Sequence, residues 1–145
     1  MSGIIALFSG QGAQYPGMGK DLYDMLPEVR DIYTLAGDIL GFDVAKISFE
    51  ADGETLARTI HSQPAIFTLS VAAFTAAGSV MPAPAAVAGH SLGEFAALCC
   101  AGAFSPEDGF RIIKARAAAM EEASGADAGA MYAIIGSDEK TVAAV

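Results

Sequence analysis

Short apolar runs alternate along the chain with longer stretches that carry apolar residues at helical spacing. The run GIIALF at 3–8 predicts a short buried strand, and a glycine-rich loop, SGQGAQYPGMG, follows it directly. Two further runs, at 85–89 and 130–135, predict two more strands. Strands that alternate with helices in this way are typical of an α/β fold with parallel strands.

The first helical region lies at 21–41, where Pro27 predicts the opening of a second helix and Gly41 its end. Residues 43–50 are ambiguous, and residues 53–59 predict a short helix.

The middle and end of the chain carry clear helix starts. Ser62 and Pro64 predict the start of a helix that runs to Gly78 and is apolar on nearly every side, which indicates that it is buried. Residues 92–101 predict another helix. Three more signals complete the pattern: Ser105 as the cap of a helix with Pro106 in its first position, Gly125 as the stop of that helix, and Ser137 as the cap of a last helix.

Two features predict a piece of a longer fold. Three strands would make a parallel sheet with open edges, which natural α/β domains cover. The last apolar helical run also reaches Val145 without a capping residue after it.

Composition narrows the classes of partner. The 145 residues are 53% hydrophobic, which is enough to build a core. Their net charge of −9 argues against nucleic acid and anionic membranes as partners. The sequence contains neither an apolar run of membrane-spanning length nor a basic flank typical of a secretion signal. Cys99 and Cys100 are adjacent, so they predict small buried helix residues rather than a disulfide framework or metal site, and a reducing cytoplasm fits.

The segment Gly89-His90-Ser91-Leu92-Gly93 joins a predicted strand to a predicted helix. A nucleophile elbow requires this order, with small residues on both sides of the serine because the turn brings backbone segments together. The sequence therefore predicts Ser91 as a nucleophile at the positive end of the following helix. A serine that serves only the turn is the alternative.

An elbow serine needs amide donors for the oxyanion that forms during acyl transfer. The backbone N–H of Leu92, directly after the serine, is one candidate. The second is the N–H of Gln11, in the glycine-rich loop after the first strand. A phosphate-binding loop is the alternative for that loop, but no G-x-x-x-x-G-K-[ST] pattern is present.

Arg116 is the third candidate. Ile112, Arg116 and Met120 are spaced by four, and the pattern predicts that they share a buried face with Phe110 and Ile113. A guanidinium in the middle of such a face must be paired. Its partner could be a structural carboxylate or the carboxylate of a substrate, which Arg grips with two parallel hydrogen bonds.

Four motifs in this order resemble malonyl-CoA:acyl carrier protein transacylases and the acyltransferase domains of fatty-acid and polyketide synthases. They are GHSLGE at 89–94, FSGQGAQYPGMG at 8–19, SQPA at 62–65 and R-x-x-x-M at 116–120. The resemblance implies an α/β-hydrolase-like core at 1–125 and the beginning of a ferredoxin-like subdomain at 126–145.

The resemblance also implies a reaction. Ser91 would accept a malonyl group from malonyl-CoA and pass it to the phosphopantetheine thiol of an acyl carrier protein, with no permanently bound cofactor and no metal. Gln11 and Leu92 would form the oxyanion hole through their N–H groups. Arg116 would bind the malonyl carboxylate, and Gln63 would lie in the active site as a second substrate-binding residue.

In this family the catalytic histidine lies in a later segment, so the resemblance predicts that residues 1–145 alone are inactive and need a C-terminal segment as partner. His90 is expected to order the turn, and His61 is expected at the surface or near a helix cap. Two other hypotheses remain at this point. One is a serine esterase or thioesterase with a similar core, and the other is a non-catalytic acyl-binding or scaffolding fragment.

Overall fold

A computed structural model describes residues 3–126 and 135–144, without the side chains of residues 125 and 126. The elements in chain order are β1 (Ile5–Phe8), α1 (Lys20–Met25), α2 (Pro27–Leu40), α3 (Val44–Glu50), α4 (Gly53–Ala57), α5 (Thr59–Gly78), β2 (Ala86–Gly89), α6 (Leu92–Cys100), α7 (Pro106–Ala126) and α8 (Glu139–Ala143).

The two strands lie side by side and run parallel, which confirms the predicted strand orientation. Their register pairs Ile5 with Ala86 at one end and Phe8 with Gly89 at the other. Because parallel strands end at the same edge of a sheet, the loop after β1 and the turn after β2 emerge next to each other. The third predicted strand, at 130–135, lies outside the described residues except for its last position.

The prediction that the first strand is buried was wrong for half of its residues. Ile5 and Leu7 are 60% and 78% exposed, whereas Phe8 is buried and packs 5.8 Å from the ring of Phe74 on α5. Successive strand residues point to opposite faces. Phe8 and Ala6 lie on the face that packs against the core, whereas Ile5 and Leu7 lie on the opposite, exposed face.

Local signals in the sequence mark both ends of α2 and the start of α3. Pro27 is the first residue of α2, and Gly41 ends that helix with a left-handed φ of 88°, as predicted. The ambiguous stretch at 43–50 is helical. Its start is stabilised by Asp43, whose side chain accepts a hydrogen bond from the Lys46 N–H at 2.9 Å.

Helix α5 begins at Thr59, so the predicted start at Ser62 was wrong. Pro64 lies inside the helix, and Ser62 is fully buried instead of capping an end. The helix packs against α2, α3, α6 and α7, and this burial on several sides was predicted.

His61 lies in the first turn of α5, near the helix cap, which is one of the two places predicted for it. The residue is half-buried, its Nδ1 is 2.8 Å from the Thr55 carbonyl oxygen, and its ring packs edge-on against Phe42. Its contacts are therefore those of a packing residue.

Helix α7 begins as predicted, with the Ser105 hydroxyl accepting a hydrogen bond from the Asp108 N–H at 3.2 Å. It continues past Gly125 to Ala126. The last helix, α8, is capped by Asp138 and not by Ser137, because the Asp138 carboxylate accepts from the Thr141 N–H. None of the helices in the described ranges combines the length and the apolar character needed to cross a bilayer.

Candidate active site

Ser91 occupies a sharp turn between β2 and α6. Its φ of 52° makes it the only residue other than glycine with a positive φ in the part of the chain that the structure describes. The residue is exposed at the edge where both strands end. A side chain in this backbone region is strained, and such strain recurs at nucleophile elbows.

The two glycines of the turn allow backbone to pack directly on backbone. A Cβ on Gly89 would collide with the carbonyl group of Gly93, and a Cβ on Gly93 would collide with the carbonyl oxygen of Phe8. The G-x-S-x-G pattern is therefore required by the contacts of β1, β2 and α6. These contacts hold Ser91 above the sheet edge.

The glycine-rich loop lies against the same turn. The His90 N–H donates to the Phe8 carbonyl at 3.1 Å. A Cβ on Gly10 would lie 2.6 Å from the His90 carbonyl oxygen and 2.8 Å from its Nδ1, so the His90 ring rests on Gly10. Gln11 follows directly, and the packing thus brings the two loops with candidate amide donors together.

Both predicted donors have an N–H available in this arrangement. Leu92 is the first residue of α6, and an N–H in that position has no partner within its helix. Within residues 3–126 and 135–144, neither the Leu92 N–H nor the Gln11 N–H donates a hydrogen bond to another backbone group. Amides of this kind can stabilise negative charge that develops on an acyl oxygen.

Arg116 reaches this turn from α7. Its Nη2 is 3.4 Å from Ser91 Oγ, and its guanidinium carbon lies 5.4 Å from the centre of the Phe95 ring. No carboxylate among the described residues lies within ion-pair distance of Arg116. The ion pairs found in these residues involve Lys20, Arg58 and Arg111. The cation therefore stands beside the serine with donors free for an anion.

Arg116 lies at the border of the buried stripe of α7, so the prediction that it sits in the middle was wrong. The stripe consists of Phe110, Ile113 and Ala117, whereas Ile112 is 37% exposed and Arg116 is half-buried. Successive helix residues are rotated by about 100°, so the row at 112, 116 and 120 flanks the buried row. This border position brings the guanidinium to the surface beside Ser91.

Gln63 lies beneath the glycine-rich loop and is 0% exposed. Its Nε2 donates to Gln11 Oε1 and to Met120 Sδ, both at 3.2 Å. It has no surface with which to contact a substrate in this arrangement. Gln63 thus links the loop to the helix that carries Arg116.

Phe95 was missed in the sequence analysis, and Met120 was noted there only as part of the R-x-x-x-M motif and of the row with Arg116, without its contact to Gln63. Phe95 follows Ser91 by one helical turn, and Met120 follows Arg116 by one turn. Spacing by four was the available signal, but the contacts themselves arise from the crossing of helices and strands that are distant in sequence.

In the described ranges, no cluster of histidine, cysteine and acidic side chains could hold a metal ion. No histidine hydrogen-bonds to Ser91 Oγ, whose partner in these residues is Arg116. Burial raises the pKa of the Cys99 thiol to about 11 and that of the Cys100 thiol to about 12, which makes both poor nucleophiles at neutral pH.

Comparison with known proteins matches this chain to one family. The family described as "Acyl transferase domain" matches residues 6–144. A malonyl CoA-acyl carrier protein transacylase of Bacillus subtilis (strain 168) is 40% identical over 142 residues, which are 98% of this chain and 45% of that protein. The chain thus spans about half the length of this curated relative.

Solved structures give the same result for the fold. An acyl carrier protein S-malonyltransferase from Vibrio cholerae matches with a TM-score of 0.88 and 35% identity, over 99% of this chain and 47% of that one. A malonyl-transacylase solved in complex with a type II PKS acyl-carrier protein matches with a TM-score of 0.79 and 36% identity, over 84% of this chain and 40% of that one. The α/β fold with parallel strands is therefore that of the malonyl-transacylases, and the chain belongs to the acyl transferase domain family.

Proposed function

We propose that the protein carrying this chain is an acyl-carrier-protein S-malonyltransferase in fatty-acid or polyketide synthesis. One observation carries the proposal: Arg116, without a carboxylate partner among the described residues, lies 3.4 Å from the hydroxyl of Ser91. A hydroxyl and a cation at this distance suit an acyl group that ends in a carboxylate, such as malonyl.

Ser91 is the nucleophile of this reaction. Its Oγ bonds to the thioester carbon of malonyl-CoA, its proton passes to a base, and the carbon–sulfur bond breaks to release CoA as the thiol. The phosphopantetheine thiol of an acyl carrier protein then attacks the malonyl ester, and the Ser91 hydroxyl is restored. A covalent intermediate divides one thioester exchange into two similar acyl transfers.

The negative oxygen of each tetrahedral intermediate is stabilised by the N–H groups of Gln11 and Leu92. Neither N–H is used by another backbone group in the described residues, which supports this role. Removing one such donor costs on the order of 10²- to 10³-fold in kcat in enzymes of this kind. Arg116 holds the malonyl carboxylate at the other end of the acyl group.

The base comes from a histidine outside residues 1–145. Among the described residues, His90 makes no hydrogen bond to Ser91 Oγ, and its ring rests on Gly10, which supports a role in ordering the turn. The proposal therefore includes a C-terminal segment as partner, an α/β-hydrolase-like core at 1–125, the start of a ferredoxin-like subdomain at 126–145 and a cytoplasmic location. Residues 1–145 alone should lack transfer activity.

Intact-mass analysis tests this function. We define the reconstituted enzyme as residues 1–145 joined to the part of the Bacillus subtilis relative that follows its matched segment. Incubated with malonyl-CoA, it should gain one malonyl group and lose it when an acyl carrier protein is added. The Ser91→Ala variant should gain none, and residues 1–145 alone should gain it slowly or not at all.

Two results would contradict the proposal. A malonyl adduct that forms but passes to water and not to the carrier protein would indicate an esterase or thioesterase. Failure to form any adduct in the reconstituted enzyme, with the fold intact by circular dichroism, would indicate a non-catalytic fragment.

A further inference from the structure

Gln63 places a polar amide in the interior of the protein, where it cannot contact a substrate directly. It is 0% exposed, and in the described residues its Oε1 accepts no hydrogen bond. Removing both partners of a buried hydrogen bond in favour of an apolar group of similar shape is often neutral or stabilising, whereas an unpaired buried acceptor is unfavourable. Stability therefore does not explain an amide at this position.

The contacts of its Nε2 give a better explanation. One hydrogen bond goes to the side chain of Gln11, and the other goes to Met120, one turn after Arg116 on α7. The Gln11 side chain is held from a second direction, because its own Nε2 is 3.4 Å from Thr59 Oγ1, one turn before Gln63 on α5. Two residues of α5 thus hold the side chain of Gln11. The backbone N–H of Gln11 is the candidate donor at the oxyanion site.

We propose that Gln63 is a positioning residue that holds the Gln11 amide at the oxyanion site and ties that loop to α7. This inference rests on the proposed function and replaces direct substrate binding as the role of Gln63. It acts on the carbonyl end of the acyl group, which malonyl and acetyl thioesters share, and not on the malonyl carboxylate.

The two roles differ in their kinetics. Donors to the oxyanion act in the transition state, so disturbing them lowers the rate of acylation without weakening substrate binding. A contact with the malonyl carboxylate would instead raise KM for malonyl-CoA and leave acetyl-CoA unaffected. Gln63→Leu separates these outcomes, because it keeps much of the volume and removes both donors.

The test measures single-turnover acylation of Ser91 in the reconstituted enzyme with malonyl-CoA and with acetyl-CoA. In Gln63→Leu the rate constant should fall about 10- to 100-fold for both thioesters, with their ratio kept within about twofold and KM for malonyl-CoA unchanged. The thermal midpoint should fall by less than about 5 °C. Ser62→Ala is the matched control, because it removes a neighbouring buried hydroxyl that also lacks a partner in the described residues, and its rates should be unchanged.

A second variant tests the hydrogen bond through the pH dependence of the acylation rate, which a change in packing alone would not alter. In Gln63→Glu the protonated carboxyl can donate to Gln11 Oε1, but the ionised form cannot. Its acylation rate, divided by that of the unsubstituted enzyme at the same pH, should therefore rise as the pH is lowered. Gln63→Leu should show a ratio independent of pH.

Four results would overturn the inference. They are an effect confined to KM for malonyl-CoA, unchanged acylation rates in Gln63→Leu, a fall of its thermal midpoint well beyond 5 °C, and a Gln63→Glu ratio that does not depend on pH. None of them affects the proposed function, which depends on whether the unsubstituted enzyme forms the Ser91 adduct and Ser91→Ala does not.

Discussion

Arg116 on α7 lies 3.4 Å from Ser91 on the turn before α6, measured from Nη2 to Oγ. The guanidinium therefore contacts a neutral hydroxyl. A carboxylate that enters the site can accept two parallel hydrogen bonds from Arg, which are stronger because both partners are charged. Binding of a dicarboxylic acyl group would thus replace a weak contact of Arg116 with a stronger one.

The first prediction concerns this cation. Arg116→Ala in the reconstituted enzyme should lower kcat/KM for malonyl-CoA about 100-fold or more, because a charge pair in the bound state is lost. Acylation by acetyl-CoA should change little or increase. Arg111→Ala is the matched control on the same helix, since Arg111 forms an exposed pair with Asp108. Equal losses for both thioesters would refute the carboxylate role.

Phe95 supports the guanidinium from below. Phe95→Leu keeps an apolar side chain but removes the aromatic face that lies 5.4 Å from the Arg116 guanidinium carbon. A cation–π contact contributes about 0.5–2 kcal/mol, so KM for malonyl-CoA should rise about 2- to 30-fold. Phe95→Tyr should keep the original KM, and identical behaviour of the two variants would show that the ring only fills space.

Backbone strain at Ser91 predicts a difference between two inactive variants. Both Ser91→Gly and Ser91→Ala should abolish acylation. Glycine adopts a positive φ without steric cost, so Ser91→Gly should have a free energy of unfolding about 1–2 kcal/mol above that of Ser91→Ala. Urea denaturation measures this difference, and equal stabilities would show that the turn relaxes around either residue.

Gly93 should not tolerate a side chain. In Gly93→Ala the added Cβ meets the carbonyl of Phe8, a backbone atom that cannot move aside without displacing β1. We expect a loss of about 3 kcal/mol or more in the free energy of unfolding. Gly53→Ala is the control, because nothing lies within 4 Å of its Cβ, and its stability should be unchanged or slightly higher. A stable Gly93→Ala variant would refute the close backbone contact.

The two thiols predict a loss of stability in alkali. Burial raises the pKa of Cys99 to about 11 and that of Cys100 to about 12, from an ordinary value of 9.0. Above pH 9 the unfolded chain therefore loses these protons while the folded chain keeps them, so the unfolded state gains stability. The free energy of unfolding should fall by at most about 1.4 kcal/mol per pH unit and per thiol until the folded pKa is reached.

Urea denaturation of the 145-residue chain at about pH 8, 9 and 10 measures how the free energy of unfolding changes with pH. The Cys99→Ala/Cys100→Ala variant should flatten this dependence between pH 9 and 10. Burial also raises the pKa of Tyr33, which adds a loss of the same sign above pH 10 in both proteins. A slope that persists unchanged without the thiols would assign it to other groups.

Features set by local chemistry could be predicted from the sequence. Pro27 and Gly41 bound α2 as expected, and the strand–turn–helix around Ser91 follows from two glycines that no other residue can replace there. Ser62 and Pro64 form a helix-start pattern and led to a wrong prediction, because α5 begins at Thr59 without a side-chain cap and buries Ser62 and Pro64 inside the helix. Local patterns do not contain that information.

The periodicity of α7 correctly predicted which side of the helix is buried, but it wrongly placed Arg116 at the centre of that side. It does not distinguish the buried row at 110, 113 and 117 from the neighbouring row that carries Arg116. The contact of Arg116 with Phe95 and that of Gln63 with Met120 depend on how α5, α6 and α7 cross, which spacing within a single helix cannot determine.

Single side-chain hydrogen bonds join Ser91 to Arg116, and Met120 on the same helix to Gln63 and then to Gln11. These residues come from elements that are distant in sequence. A partly unfolded state that retained its helices could keep Ser91 on its turn, yet it would separate Arg116 on α7 from Ser91 and Phe95. Under the proposed function, preference for malonyl over acetyl would then be lost while the helix content is still high. The ratio of the two acylation rates would therefore report on tertiary packing independently of helix content.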